Sequence, residues 1–245
     1  MISSRLFKIT LFFVCFASLL LAETNNKLWY QQPAEQWEEA LPVGNGRLGA
    51  MVYGGLTQDR IQYNEETLWT GTPQQYHNPN AHTYLDTIRQ LLFDGEQKKA
   101  TDLAMEKFMS QPLRQERYQP FADLIMSFAH EKATDYYRDL NLETGVTTTT
   151  YKVNGVTFTR KVFATAVDDI IVVQLTCDQP GKLDVVLGLE CPHKEIKQRA
   201  EMGELHLKGQ ISDYVNQREK QKRVSALKFA SLISAEPQGG DMTVD

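Results

Sequence analysis

The dipeptide Asn154-Gly155 constrains this chain more tightly than any other two residues in it. Asn-Gly set between runs of alternating side chains is the strongest short-range signal for a two-residue hairpin, because a type I′ turn needs positive φ at both central positions. Placing the turn there fixes a register. Val153 then faces Val156, Tyr151 faces Phe158 and Thr149 faces Arg160, while the other side pairs Lys152 with Thr157, Thr150 with Thr159 and Thr148 with Lys161. The first set is mostly apolar and the second wholly polar, as in an outer strand pair of a sandwich with one face on a core and one in water. From Tyr118 onward β signals dominate. Ile170 to Val173 is apolar on both faces and predicts a central strand. Strands over 170–177 and 183–191 are joined by Asp178-Gln179-Pro180-Gly181, which reads as a hairpin turn.

Upstream the pattern changes period. Asn80 is placed to cap a helix through Phe93, with Leu85, Ile88, Leu91 and Leu92 at helical spacing. Asp94-Gly95 breaks it, and Ala100, Leu103, Ala104 and Phe108 mark a second helix ending before Pro112. The predicted fold class is therefore mainly β: a large antiparallel β-sandwich with a short helical insertion near 80–110. At the other end, 224–235 reads as a strand, 236–241 as a turn and 242–245 as the next strand beginning. That pattern leaves an open sheet edge, and the expectation is a sandwich truncated at its C-terminus.

The stretch from Leu28 to Trp69 carries most of the chemical information. It holds Trp29, Trp37 and Trp69, the acid pairs Glu38-Glu39 and Glu65-Glu66, and a literal G-x-G-x-x-G at Gly44, Gly46 and Gly49. A dinucleotide site would need a helix after the glycines, so that its N-terminus could hold a pyrophosphate. Here Ala50-Met51-Val52-Tyr53 and the breaker pair Gly54-Gly55 predict a short strand instead, so no cofactor is expected. Asn45, Arg47, Asn64, Glu65 and Trp69 are the candidate functional residues. Amide and carboxylate groups hydrogen-bond sugar hydroxyls, and an indole face covers the apolar side of a pyranose. Two alternatives stand beside that reading. The residues serve a tight turn, a strand end and the core, which is the reading preferred, or they brace a neighbouring domain. Ile61, Tyr63, Glu65, Thr67 and Trp69 alternate against Gln62, Asn64, Glu66 and Leu68, which predicts Trp69 in the core beside Ile61 and Tyr63, with Glu65 the exception on that face.

The run WEEALPVGNGRLGAMVYGG followed by QYNEETLWTG closely resembles the opening of glycoside hydrolase family 95, typified by inverting α-L-fucosidases. The resemblance continues through YQPFADLIMSF (Tyr118–Phe128), DYYRDLNLETGVTTTTYKVNGVTFTRKVFAT (Asp135–Thr165) and DDIIVVQL (Asp168–Leu175). Phe121-Ala122 stands where the family usually has Leu-Gly, and Asn141-Leu142 where Asp-Leu is common. The resemblance implies that residues 23–245 form the N-terminal super-sandwich of a longer enzyme. The catalytic acid and the asparagine and aspartate groups that activate water belong to an (α/α)6 barrel that follows this domain, so no catalytic residue carries over. The implied partners are that absent barrel and, through the whole enzyme, a fucosylated oligosaccharide. A free-standing carbohydrate-binding or structural module is the alternative.

Residues 1–22 read as a signal peptide: Arg5 and Lys8 precede an apolar run from Ile9 to Ala22, too short to span a bilayer and ending in a small residue. Export to the periplasm or the extracellular space follows as an expectation, with no membrane span. The formal net charge of −5 gives no electrostatic reason to bind nucleic acid. Arg218 to Arg223, interleaved with Glu219 and glutamines, reads as a solvated loop or helix face. If 170–177 and 183–191 form a hairpin, Cys177 lies near its turn and Cys191 roughly 25 Å up the partner strand. That is too far for a disulfide, which predicts two buried free thiols. Inverting hydrolysis needs an acid and a base on opposite faces of the sugar. The neighbours in Glu38-Glu39, Glu65-Glu66 and Asp168-Asp169 point to opposite sides of a strand, so neither member of a pair shares a pocket with the other. His77, His82, His130, His193 and His206 show no metal-binding spacing, and no metal is expected.

Overall fold

A computed structural model describes residues 26–130, 132–216 and 221–244. The proposed signal peptide, 1–22, lies outside the described residues, as do Arg218, Glu219 and Lys220 of the basic cluster and Asp245. The protein is mainly β, built from antiparallel sheets in sandwich arrangement with two short helices. The strands are β1 (Lys27–Tyr30), β2 (Leu41–Gly44), β3 (Leu48–Val52), β4 (Gln58–Glu65), β5 (Ala122–Ser127), β6 (Thr134–Asn141), β7 (Val146–Val153), β8 (Val156–Thr165), β9 (Ile170–Cys177), β10 (Val186–Glu190), β11 (Glu195–Glu201), β12 (Glu204–Gln210), β13 (Tyr214–Asn216), β14 (Gln221–Arg223) and β15 (Lys228–Ser234). One five-stranded sheet runs β1-β6-β7-β8-β9 and another β10-β5-β4-β3-β2, with a three-stranded sheet β11-β12-β15 and the ribbon β13-β14.

The Asn154-Gly155 hairpin forms as expected. Asn154 and Gly155 sit at φ 50° and 80°, and all six pairings from Thr148↔Lys161 to Val153↔Val156 are realised between β7 and β8. The parity assigns the faces correctly: Thr149, Tyr151, Val156, Phe158, Arg160 and Val162 are buried, whereas Lys152 and Lys161 are exposed.

The chain divides into two units. The first comprises residues up to Asn45, Ala50–Asp59 and Phe128–Asp184. In it β2 lies across β6, β7 and β8, so that the two layers enclose Leu41, Val43, Leu140, Tyr151, Phe158 and Val162. This core is unusually polar. Arg160 Nη1 bonds Asp59 Oδ2 at 2.6 Å, both side chains almost fully buried, and its guanidinium lies over the Phe128 and Tyr151 rings. Arg138, 1% exposed, donates to the Gln32 and Glu39 carbonyls, both at 2.8 Å, which keeps that buried charge satisfied. The breaker pair Gly54-Gly55 earns its place in this packing. Gly54 adopts φ +73°, and a Cβ there would lie 2.6 Å from the Tyr136 hydroxyl.

The second unit comprises Gly46–Gly49, Arg60–Ser127 and Val185–Asp245. Its core is Leu68, Phe121, Ala122, Leu207, Ile211 and Phe229, with Tyr63, Leu189, Cys191, Ile196 and Leu227 packed around them. The helical insertion is present as a 3-10 turn (Ala81–Tyr84), α1 (Leu85–Phe93), α2 (Gln97–Leu103) and a π turn (Ala104–Phe108). Asn80 makes no side-chain capping bond.

Five expectations need correction. β9 is an edge strand rather than a central one, paired only with β8, and Ile170 is exposed. Nor do β9 and β10 form a hairpin: β10 pairs with β5 in the other sheet, so Asp178–Gly181 ends a strand without reversing into a partner. The short turn permits a reversal without requiring one, and β10 instead pairs along the edge of β5 with Leu189 packed on the second unit's core. The thiols of Cys177 and Cys191 are free, as expected, but half-buried rather than buried. Residues 236–244 contain no strand, and β15 begins at Lys228 rather than at 224. Gln221–Arg223 of the basic cluster is the short strand β14, not a helix face.

Candidate functional site

Four of the five candidate residues gather where β4 ends. Strand pairing stops at Glu65, and the chain turns there, with Leu68 N donating to Glu65 O at 3.2 Å and Glu66 N to Arg47 O at 3.0 Å. The turn reverses the parity of the strand. Leu68, not Trp69, drops into the core at 2% exposure, and Trp69 emerges at 39%. The expectation of a core Trp69 therefore fails, because strand alternation ends with β4 at Glu65 and does not extend through the turn. Glu65, the polar exception on that face, marks the place.

Trp69 is held in a defined pose. Its indole N–H donates to Glu66 O at 2.9 Å, and its ring packs against Tyr118 at 5.3 Å between centroids and 52° between planes. A backbone bridge joins the same two residues. Tyr118, itself 45% exposed, donates its hydroxyl to Glu65 O at 3.0 Å. Asn64 locks the segment by donating to Gln119 O at 2.9 Å while its Oδ1 accepts from Glu65 N.

Glu65 decides what this cluster can do chemically. Its carboxylate accepts from Arg47 Nη1 at 3.2 Å and from the Thr67 hydroxyl and N–H at 2.6 and 2.9 Å. Burial by itself would raise its pKa. The bonds from Thr67 and the adjacent Arg47 guanidinium outweigh that, and the pKa lies below the ordinary carboxylate value. A carboxylate kept ionised by three donors is a poor proton donor and has few lone pairs left for a water. The cluster offers an aromatic platform with a fixed ion pair beside it, suited to contact rather than to proton transfer.

Asn45 stands apart. It lies in the first unit and donates to Thr165 O at 2.9 Å and Asp169 Oδ1 at 3.1 Å, which braces the β8–β9 turn where Asp169 takes φ 56°. Of the other acid pairs, Glu39 closes a capping box on the turn Trp37–Glu39, accepting from Glu35 N and Gln36 N. Those two bonds hold its pKa low.

Against a model of the family described as glycosyl hydrolase family 65, N-terminal domain, the match runs over residues 28–245. The chain belongs to this family. Among curated proteins it is 36% identical over 168 residues to α-L-fucosidase 2 of Arabidopsis thaliana, covering 67% of this chain and 20% of that protein. It is 29% identical over 147 residues to a probable α-fucosidase A of Aspergillus oryzae, 57% of this chain and 20% of the relative, and 26% identical over 188 residues to that of Aspergillus niger. The chain thus spans about a fifth of the length of these curated relatives. The opening motifs resemble family 95 and the matching model is described by family 65. With the α-fucosidase relatives, what is shown is an N-terminal domain of a fucosidase-like glycoside hydrolase.

Two features of this family member escape motif reading. Tyr118, distant in sequence, completes the Trp69 platform, brought there by the strand bridge between them and by its hydroxyl bond to Glu65 O. Across the Met202-Gly203 turn, Glu201, Glu204 and His206 bring one ligand atom each to within 4.8 Å, the one such group among the described residues. His206 Nε2 is 2.8 Å from Glu204 and 3.7 Å from Glu201, so hydrogen bonding within the group already accounts for its closeness. The histidine spacing misses it because two of the three ligands are carboxylates that the hairpin register, Glu201↔Glu204, sets side by side.

Proposed function

We propose that this chain is the N-terminal domain of an exported, inverting α-L-fucosidase-like hydrolase of fucosylated glycans, and that it supports a catalytic barrel lying outside these 245 residues. The observation that carries the reading is the state of Glu65. The carboxylate of this cluster is tied up by Arg47 and Thr67 beside an exposed Trp69–Tyr118 platform. Such a cluster positions a sugar or meets a neighbouring domain; it does not protonate a leaving group. The kinship with α-fucosidases several times longer than this chain supports the same division of labour. Residues 1–22 supply the export signal, to the periplasm or beyond. A free-standing carbohydrate-binding module is the second reading, and exposed aromatics on the first sheet favour it.

The test is kinetic. In the longer enzyme encoded by an in-frame continuation, Trp69→Ala is expected to lower kcat/KM for fucose release at least about tenfold, ~1.4 kcal/mol of transition-state contact, with Tm lowered by no more than a few degrees. Unaltered kcat/KM would remove this cluster from function, and the lack of any continuation encoding a helical domain would move the weight to the binding-module reading.

A further inference from the structure

The outer face of the β1-β6-β7-β8-β9 sheet carries an open, shallow cavity of about 320 Å³, at the small end of ligand sites. Its lining includes Lys27, Asp139, Asn141, Thr148, Lys161 and Phe163. The register explains the gathering. Lys27 is opposite Asn141 and Trp29 opposite Asp139, Asp139 is opposite Thr148, and Thr148 is opposite Lys161. All of these side chains therefore rise on the side away from the buried Arg138, Leu140, Thr149 and Tyr151. Beside the cavity Trp29 stacks on Tyr137, with centroids 6.3 Å apart and planes 22° from parallel, and remains 57% exposed.

We infer that this face is a second glycan-binding site, taking one pyranose of a neutral oligosaccharide. A pyranose presents an apolar C–H face and a rim of hydroxyls, and it needs a flat aromatic surface next to fixed donors and acceptors. Trp29 supplies the surface. Asp139, 5% exposed and fixed by Lys27 Nζ at 3.2 Å, supplies a rigid acceptor in the floor. The Asn141 Oδ1 is taken by the Glu143 and Thr144 N–H groups, which leaves its NH2 to donate, and the Thr148 hydroxyl both donates and accepts. The Lys27 charge is matched by Asp139, while Lys161 adds a further donor at the exposed rim. The placement differs from the Trp69 cluster, which belongs to the second unit. The inference rests on the proposed function only in the choice of sugars to try.

Saturation-transfer NMR and calorimetry on the 245-residue chain, with L-fucose, lactose and 2′-fucosyllactose as probes, test it. Transfer to at least one probe is expected; transfer to fucose marks the terminal sugar as the ligand, and transfer to lactose marks the backbone. Trp29→Ala is expected to weaken that binding at least about tenfold with the thermal melt retained, and Trp69→Ala to leave it unchanged. Thr148→Val, which keeps volume and loses the hydroxyl, is expected to weaken it too and covers the case in which Trp29→Ala fails to fold. No transfer to any of the three sugars overturns the inference. So does binding untouched by both Trp29→Ala and Thr148→Val, or binding that disappears with Trp69→Ala instead; that last result would leave the proposed function standing. Failure of Trp69→Ala to alter kcat/KM in the longer enzyme would remove the Trp69 cluster from the proposed function and leave this site intact.

Discussion

At the scale of single residues, the boundary between core and surface runs between Leu68 and Trp69. Leu68→Ala should destabilise by about 2–5 kcal/mol through lost burial and a cavity. Trp69→Ala should cost about 1 kcal/mol, the worth of one aromatic pair; chemical denaturation of the two variants would measure both, and equal losses would contradict the assignment. This reversal was not legible in the chain, since strand parity holds only while the strand lasts and nothing but Glu65 signals its end. His130 makes a second test. It is 6% exposed, bonded through Nδ1 to the Tyr151 hydroxyl at 2.9 Å, and stacked on Phe128 with Arg160 nearby. Burial and then the Arg160 charge lower its pKa below the ordinary histidine value. Between the folded pKa and the unfolded value of about 6.5, only the unfolded chain binds the proton. Stability is therefore complete above about 6.5 and falls as pH drops toward the folded pKa. Tm should decline from about pH 7.5 to about pH 5.5, and less steeply in His130→Gln; parallel slopes would contradict this.

At the scale of elements, turn chemistry was the most legible feature and burial the least. Asn154-Gly155 fixed six pairings because positive φ at both positions leaves one hairpin geometry. Gly155→Val isolates that effect: a Cβ there meets nothing within 4 Å, so its cost is conformational, about 1–2 kcal/mol. A melt unchanged by this substitution would show that the turn does not set the register. The β9–β10 connection failed for the complementary reason. Asp178-Gln179-Pro180-Gly181 permits a reversal but does not require one, and the choice of partner strand depends on distant apolar faces that no local pattern records. The helices were found from their 3.6-residue period, yet α1 buries no residue completely, so the period marks a helix without marking a core.

At the scale of the whole molecule, the fold class, the absence of a dinucleotide loop and the family were all readable, because each rests on long, ordered motifs. Gly49 falls inside β3, which rules out the helix a pyrophosphate would need. What the motifs could not disclose is how the candidate residues are used: four converge at the end of β4, while Asn45 braces a turn in the other unit. The central claim is that this domain contacts and supports but performs no hydrolysis. Release of fucose from a 2-fucosylated oligosaccharide by the purified 245-residue chain tests it most directly. The account predicts no release above buffer over long incubation at high protein concentration; sustained turnover by the pure chain would contradict it.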